Sequence, residues 1–265
     1  MGSRGDVGRQ QHSTFFTAEQ REGFTILRFK ASEELPGTDL QEIETLWDFL
    51  DAFRASGERI LLIIFPPGNL SPAVLDRFWE HIRQIPPNAT IQQGDKLEWI
   101  ERQREQYAFW RFIEEVRQPG IFVVAAFQGE IDMEFFGLLL ACDYRIAGDD
   151  AVFVNRFLEL GIPAGAALPW LLARNVGCAR AVDILLEGER LTAKQAHKLR
   201  LVNRLARPDA LEAKALAVAE RFASVPSDGL IAIKKAMRSA VCDLAPYFDQ
   251  EGMGIEHLPK AQPEE

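Results

Sequence analysis

Cysteine is scarce. The chain has three, Cys142, Cys178 and Cys242, and none stands at CxxC spacing from another. An odd, scattered set excludes a disulfide framework and a cysteine-built zinc cage, and fits a reducing compartment. Positive charge is not in excess. Thirty Lys and Arg stand against 39 Asp and Glu, a formal net charge of −9, which excludes general nucleic-acid binding. Long apolar runs are missing as well. None approaches the roughly 20 residues of a membrane helix, and Met1 is followed by a polar stretch instead of an apolar signal segment. The expectation is a soluble, cytoplasmic protein with no nucleic-acid or membrane partner. The four histidines, His12, His81, His197 and His257, have no visible partner at useful spacing. They read as ordinary surface residues, and no metal site is expected.

What is present is an ordinary globular composition, 47 % hydrophobic and 26 % charged over 265 residues. That length is near the upper limit for a single core. Residues 1–20 have no clear period and read as a flexible arm. "GFTILRFK" (23–30) alternates as a strand does. Residues 39–56 place Leu40, Ile43, Leu46, Trp47, Leu50 and Phe53 at helical spacing with an acidic outer face. "RILLIIF" (59–65) and "IFVVAAF" (121–127) are continuous apolar runs, as expected of strands buried on both faces. Between them, 71–84 and 94–118 read as helices. "DYRIAGDDAVF" (143–153) reads as strand, turn and short strand, and helices dominate from 166 onward. Strands alternating with helices predict an α/β fold.

One stretch breaks the pattern. In "GEIDMEFFGLLLACD" (129–143) the acids Glu130, Asp132 and Glu134 crowd the turn before an apolar helix start. One reading makes one of them an acid–base group, its pKa raised among Met133, Phe135 and Phe136. The plainer reading makes them helix caps, favoured by roughly 0.3–1 kcal/mol each at the positive end of the helix.

The second half of the chain resembles the crotonase superfamily, the enoyl-CoA hydratases and isomerases. "VVAAFQG…LLLACDYRIA" has the family's strand, turn and helix ending in Cys-Asp. "GIPAGAALPWLLARNVG" (161–177) follows at the family's length. "LEGERLTAKQAHKLRLVNRL" (186–205) matches nearly throughout, with Arg200 where a glycine is usual, and "IKKAM" (233–237) sits where a lysine-bearing helix is expected. The resemblance covers 23–65 weakly and 119–240 well. It implies an α/β fold with a ββα spiral core over 21–205, a helical insertion at about 71–118, and a C-terminal helical region, 206–265, used in trimer contacts.

It also implies a chemistry. Two backbone N–H groups polarise a thioester carbonyl toward an enolate, glycines let the thioester approach, and in hydratases two glutamates handle water and protons. Carried onto this chain, the glycine triplet falls on Met133, Glu134 and Phe135. The two glutamate positions fall on Gly137 and Phe157. The early donor lies within 65–76, where the register stays open; Pro72 falls near it and has no N–H to give. Candidate catalytic residues are Asp132, Glu134 and Glu159, the last displaced two residues from the second glutamate position. Glu134 and Pro72 mark the oxyanion positions, and Lys234 and Lys235 would meet the CoA phosphates. No cofactor is expected; a coenzyme A thioester would be the substrate. Self-association as a trimer or a dimer of trimers is expected, with "LPWLLARNVG" and the C-terminal helices as interface. Two readings stand: a divergent acyl-CoA lyase, isomerase or hydrolase that is not a standard hydratase, and an inactive homologue that binds or supports.

Overall fold

A computed structural model describes residues 13–31, 40–83, 107–188 and 190–239. The chain starts with an antiparallel pair, β1 (Phe16–Arg21) and β2 (Phe24–Phe29), joined through Gly23 in the left-handed region. Residues 16–20, expected in the arm, therefore belong to an edge strand of the main sheet. Then come α1 (Leu40–Ala55), β3 (Ile60–Ile64), α2 (Pro72–Arg83) and a helix described over 107–117, here α3. The first part of the helix expected over 94–118 lies outside the described residues.

Two successive turns then share one plan. β4 (Phe122–Phe127), β5 (Glu130–Asp132) and α4 (Met133–Ala141) form the first. β6 (Tyr144–Gly148), β7 (Val152–Val154) and the short α5 (Phe157–Leu160) form the second. In each turn the first strand joins a six-stranded sheet of order β1-β2-β3-β4-β6-β9, parallel from β2 onward. The second strand joins a three-stranded sheet of order β5-β7-β8. This is the ββα spiral. α6 (Leu168–Val176) and α7 (Cys178–Val182) follow, and α7 runs into a π-helical turn (Asp183–Glu187). After β8 (Arg190–Thr192), α8 (Ala193–Lys198) and β9 (Arg204–Ala206), the chain closes with α9 (Leu211–Ala223) and α10 (Ser227–Ser239). β5, β7, β8 and β9 have three residues each, too few to show a period, and only β7 is expected as a strand from the sequence.

The apolar run of β3 is explained by its two faces. Leu61 and Ile63 point into the larger core with Phe127, Phe136 and Phe153; Ile60, Leu62 and Ile64 point into a second core covered by α9. A strand covered on both sides has no polar face to show. The 186–205 motif is equally physical. Thr192 and Gln195 form a reciprocal capping box at the start of α8. Arg200 takes the left-handed conformation, φ 64°, which glycine adopts without the roughly 1–2 kcal/mol strain of a side chain.

Buried charge ties the spiral together behind the site. Arg145 is 7 % exposed, and its guanidinium donates to the carbonyls of Leu201, at 2.7 Å, Leu140 and Cys142. It thus caps the end of α4 and holds the loop before β9, while burial pulls its pKa down. The Lys234 ammonium, on α10, donates to Asp143 at 2.7 Å and to the Val116 carbonyl at 3.0 Å. Asp143 also accepts the Val123 N–H. Among the described residues, no helix is long and apolar enough to cross a membrane.

Candidate functional site

The site expected at the start of α4 is built by three elements: the end of β5, the first turn of α4, and the segment from Arg156 to Ala167. The acids do not crowd a turn, as expected. Gly129 makes the turn, at φ 77°, and Glu130 and Asp132 are the first and last residues of β5. Strand alternation puts Glu130 and Asp132 on the same face, and their position along β5 separates them: Glu130 lies at its exposed start and Asp132 at its buried end, where α4 begins. Glu130 is exposed and pairs with Arg190 of β8. Asp132, 4 % exposed, is the N-cap of α4, and its Oδ1 accepts the Glu134 N–H at 3.0 Å. The capping expectation holds for Asp132.

Asp132 has a second partner that the sequence reading missed. Arg156 donates to Asp132 Oδ2 through Nε, at 3.1 Å, and Nη2, at 2.9 Å. Its Nη1 reaches Asp76 on α2 at 2.7 Å, and Nη2 also reaches the Pro72 carbonyl at 3.3 Å. One guanidinium thus ties the end of β5 to the first turn of α2. Burial raises the Asp132 pKa, opposed by the Glu134 N–H and by Arg156. Removing either partner of a buried pair typically costs about 3–5 kcal/mol. The only hint in the sequence is a basic residue beside Phe157 in "FVNRFLELG".

Glu134 is placed differently. It is half-buried, and its Oε2 accepts the Gly165 N–H at 3.1 Å. Gly165 opens a tight loop in which Ala166 and Ala167 are both left-handed, at φ 50° and 53°, and nearly inaccessible. Each such alanine stores roughly 1–2 kcal/mol of strain. The loop then enters α6, which has no side-chain cap of its own. The loop also explains Gly137. A Cβ added there would overlap the Ala166 carbonyl oxygen, and would lie 2.9 Å from that carbonyl's carbon and 3.1 Å from the Ala166 Cβ. Position 137 has no room for any side chain.

The remaining expected residues are dispersed. Phe157, 5 % exposed, belongs to the same core cluster as Phe135 and Phe136. Glu159 is exposed on α5. Pro72 is the first residue of α2 and contributes a carbonyl acceptor to Arg156. Lys234 corrects an expectation: it is 5 % exposed and bound to Asp143, so its ammonium is committed to the core and is not offered to a phosphate. Lys235 is exposed. Cys142 is buried at the end of α4, its thiol pKa pushed up to about 12 by burial, and it is inert as a nucleophile. Among the described residues, no group of three His, Cys, Asp or Glu side chains could hold a metal ion.

The contact at Gly137 generates a stability prediction. Gly137→Ala forces the Ala166 carbonyl away from α4 and lowers unfolding stability by about 1–3 kcal/mol, as overpacking of a filled core does. In an exposed helix the same change would stabilise by about 1 kcal/mol. Urea unfolding of the two proteins decides the sign; a stabilised variant would show that the loop yields freely.

Comparison with known proteins accords with this architecture. Residues 89–261, more than half of the chain, match the family model for enoyl-CoA hydratase/isomerase. Over 132 residues the chain is 32 % identical to a probable enoyl-CoA hydratase of Rhizobium meliloti (strain 1021), covering 50 % of each protein. Over 103 residues it is 37 % identical to the 1,2-epoxyphenylacetyl-CoA isomerase of Escherichia coli (strain K12), covering 39 % of each. The chain spans about half the length or less of these curated relatives. Among solved structures, an enoyl-CoA hydratase from Mycobacterium avium subsp. paratuberculosis K-10 aligns with a TM-score of 0.74 at 22 % identity, over 95 % of this chain and 92 % of that one. An enoyl-CoA hydratase/isomerase from Cupriavidus metallidurans CH34 aligns at 0.69 and 23 %, over 93 % and 88 %. At such identity the structures speak for the fold, the crotonase spiral. The family match carries the rest: the chain belongs to the enoyl-CoA hydratase/isomerase family.

Proposed function

We propose that the protein binds an acyl-CoA thioester beside the start of α4 and moves a single proton on its acyl group with the Glu134 carboxylate. The thioester is the substrate, and no resident cofactor is invoked. The observation that carries this reading is the placement of Glu134. It is half-buried, lies one turn ahead of Gly137, and reaches the loop that closes over Gly137. Asp132, the other acid of the helix start, is committed to Arg156 and to its cap.

One carboxylate suits enolate-type chemistry, in which the same group takes a proton from one carbon and returns it to another. Hydration asks for more: one group to deprotonate water and another to protonate carbon. Positions 137 and 157 offer a hydrogen atom and a phenyl ring. The reaction class is therefore isomerisation or a related proton transfer, which agrees with the named activity of the Escherichia coli relative.

A second reading rests on a specific contact. The Glu134 N–H, which the family resemblance assigns to the thioester oxygen, is bonded to Asp132. Pro72, near the other donor position, has no N–H. A site with both donors withdrawn fits an inactive homologue that acts as a binding or structural subunit. Titration calorimetry with acetyl-CoA and a longer acyl-CoA, followed by assays of crotonyl-CoA hydration and 3-enoyl-CoA isomerisation, separates the readings. The proposal expects acyl-dependent binding, isomerisation and negligible hydration. Hydration in the ordinary range of ~1–1000 per second would overturn it. Binding without turnover would favour the inactive homologue, and no binding would favour a structural role.

Lys235 is the remaining lysine of the pair for the CoA phosphates. The free cysteines Cys142 and Cys178 are compatible with the cytoplasmic compartment that belongs to this proposal. Assembly as a trimer or dimer of trimers belongs to it too, with a changed surface. Leu168, Leu171 and Leu172 of α6, expected at the interface, are buried in their own core. Exposed apolar residues among those described include Leu158 and Leu160 on α5, Val182 and Leu186 after it, and Ile233 and Met237 on α10. Closed cyclic symmetry is the usual way to cover such residues. Light scattering should give a trimer or hexamer, and a monomer at micromolar concentration would contradict this part of the proposal.

A further inference from the structure

We infer that the loop Ile162–Ala167 is a gate over the start of α4, latched shut by the Glu134 carboxylate on the Gly165 N–H and loaded toward opening by strain at Ala166 and Ala167. Three observations converge on it. The first is strain. Two consecutive buried alanines hold the left-handed conformation, which L-residues visit singly and seldom. Strain of this kind persists only where surrounding contacts outweigh it. The second is the latch. A charge-assisted bond from Glu134 of α4 to Gly165 crosses 31 residues of chain. The third is the seat. Gly137 lacks a Cβ where the Ala166 carbonyl rests on α4, and Gly165 lacks one where Glu134 Oε1 approaches. A side chain added at 137 would drive the loop away from the helix, and one added at 165 would displace the Glu134 carboxylate.

The two conformations follow from these contacts. In the closed form, seen here, the Ala166 carbonyl covers Gly137 and Glu134 is bonded to the loop. In the open form the alanines leave the left-handed region, the carbonyl lifts from α4, and the Glu134 carboxylate is released. The inference deepens the reading of Glu134 as the site's acid and rests on that reading for its consequence alone: the acid would be freed by the motion that makes room for an acyl chain. The gate itself requires only the contacts above.

Amide hydrogen exchange on the full chain tests it without any thioester. Glu134→Ala removes the latch. Gly165→Ala expels the Glu134 carboxylate while leaving it in the sequence. Both should speed exchange at Gly165, Ala166, Ala167 and Leu168 by about tenfold or more, with β4 and α9 unchanged. Ala167→Gly relieves strain with the latch intact and should slow the same amides. Unaltered loop exchange in both latch variants would overturn the gate, as would an increase shared equally by β4 and α9. A loop that opens as expected in a protein that binds no acyl-CoA would remove the reading of Glu134 and leave the gate standing.

Discussion

The space between the backbone of α4 at Gly137 and the carbonyl of Ala166 is too small for one methyl group, and the site's other features are arranged around that contact. A helix and a loop that meet backbone to backbone leave no volume for a side chain. A carboxylate at 137 is thereby excluded, whatever the rest of the sequence offers. The loop that makes the contact is pulled into a left-handed pair of alanines, and Glu134, three residues before Gly137, reaches across to hold it. The glycine at 137, the acid at 134, and the alanine pair at 166 and 167 are therefore parts of one packing solution.

Charge at the helix start is divided between two carboxylates with different surroundings. Asp132 is enclosed, its pKa raised by burial and opposed by the Glu134 N–H and Arg156. It stabilises the start of α4 and, through Arg156, fixes that start against Asp76 on α2. Glu134 is only half-buried, and its Oε2 accepts the Gly165 N–H of the loop. Behind the site, Arg145 and the Lys234–Asp143 pair fix the far end of α4, the loop before β9 and α10. The helix is thus tied by charge at both ends while its middle is wholly apolar.

Much of this was legible in the residues. The apolar runs of β3 and β4 announced strands covered on both faces, and the period of Ile43, Leu46, Trp47, Leu50 and Phe53 announced α1. The motif at 186–205 could be read as chemistry, because Thr192 caps a helix and position 200 takes a conformation that glycine prefers. The absence of acids at 137 and 157 was visible directly. The role of each neighbouring acid was not. Asp132 pairs with a residue 24 positions away and Glu134 with a backbone amide 31 positions away, and neither distance leaves a local pattern. β5 escaped because three residues cannot display a period, so Glu130 and Asp132 looked alike although one lies at the exposed start of the strand and the other at its buried end. Lys234 looked like its neighbour Lys235, and only packing separates a buried ion pair from an exposed ammonium.

The central claim is that Glu134 is the acid that handles protons at this site. Solvent exchange at the acyl α-carbon measures that event directly: acyl-CoA incubated with the protein in deuterium oxide and followed by NMR. The account predicts deuterium entering the α-position faster with the wild type than in buffer, and a loss of about 10²–10⁴-fold in Glu134→Gln, the usual range for a positioned acid–base group. Exchange no faster than buffer with the wild type, or undiminished in the variant, would contradict it.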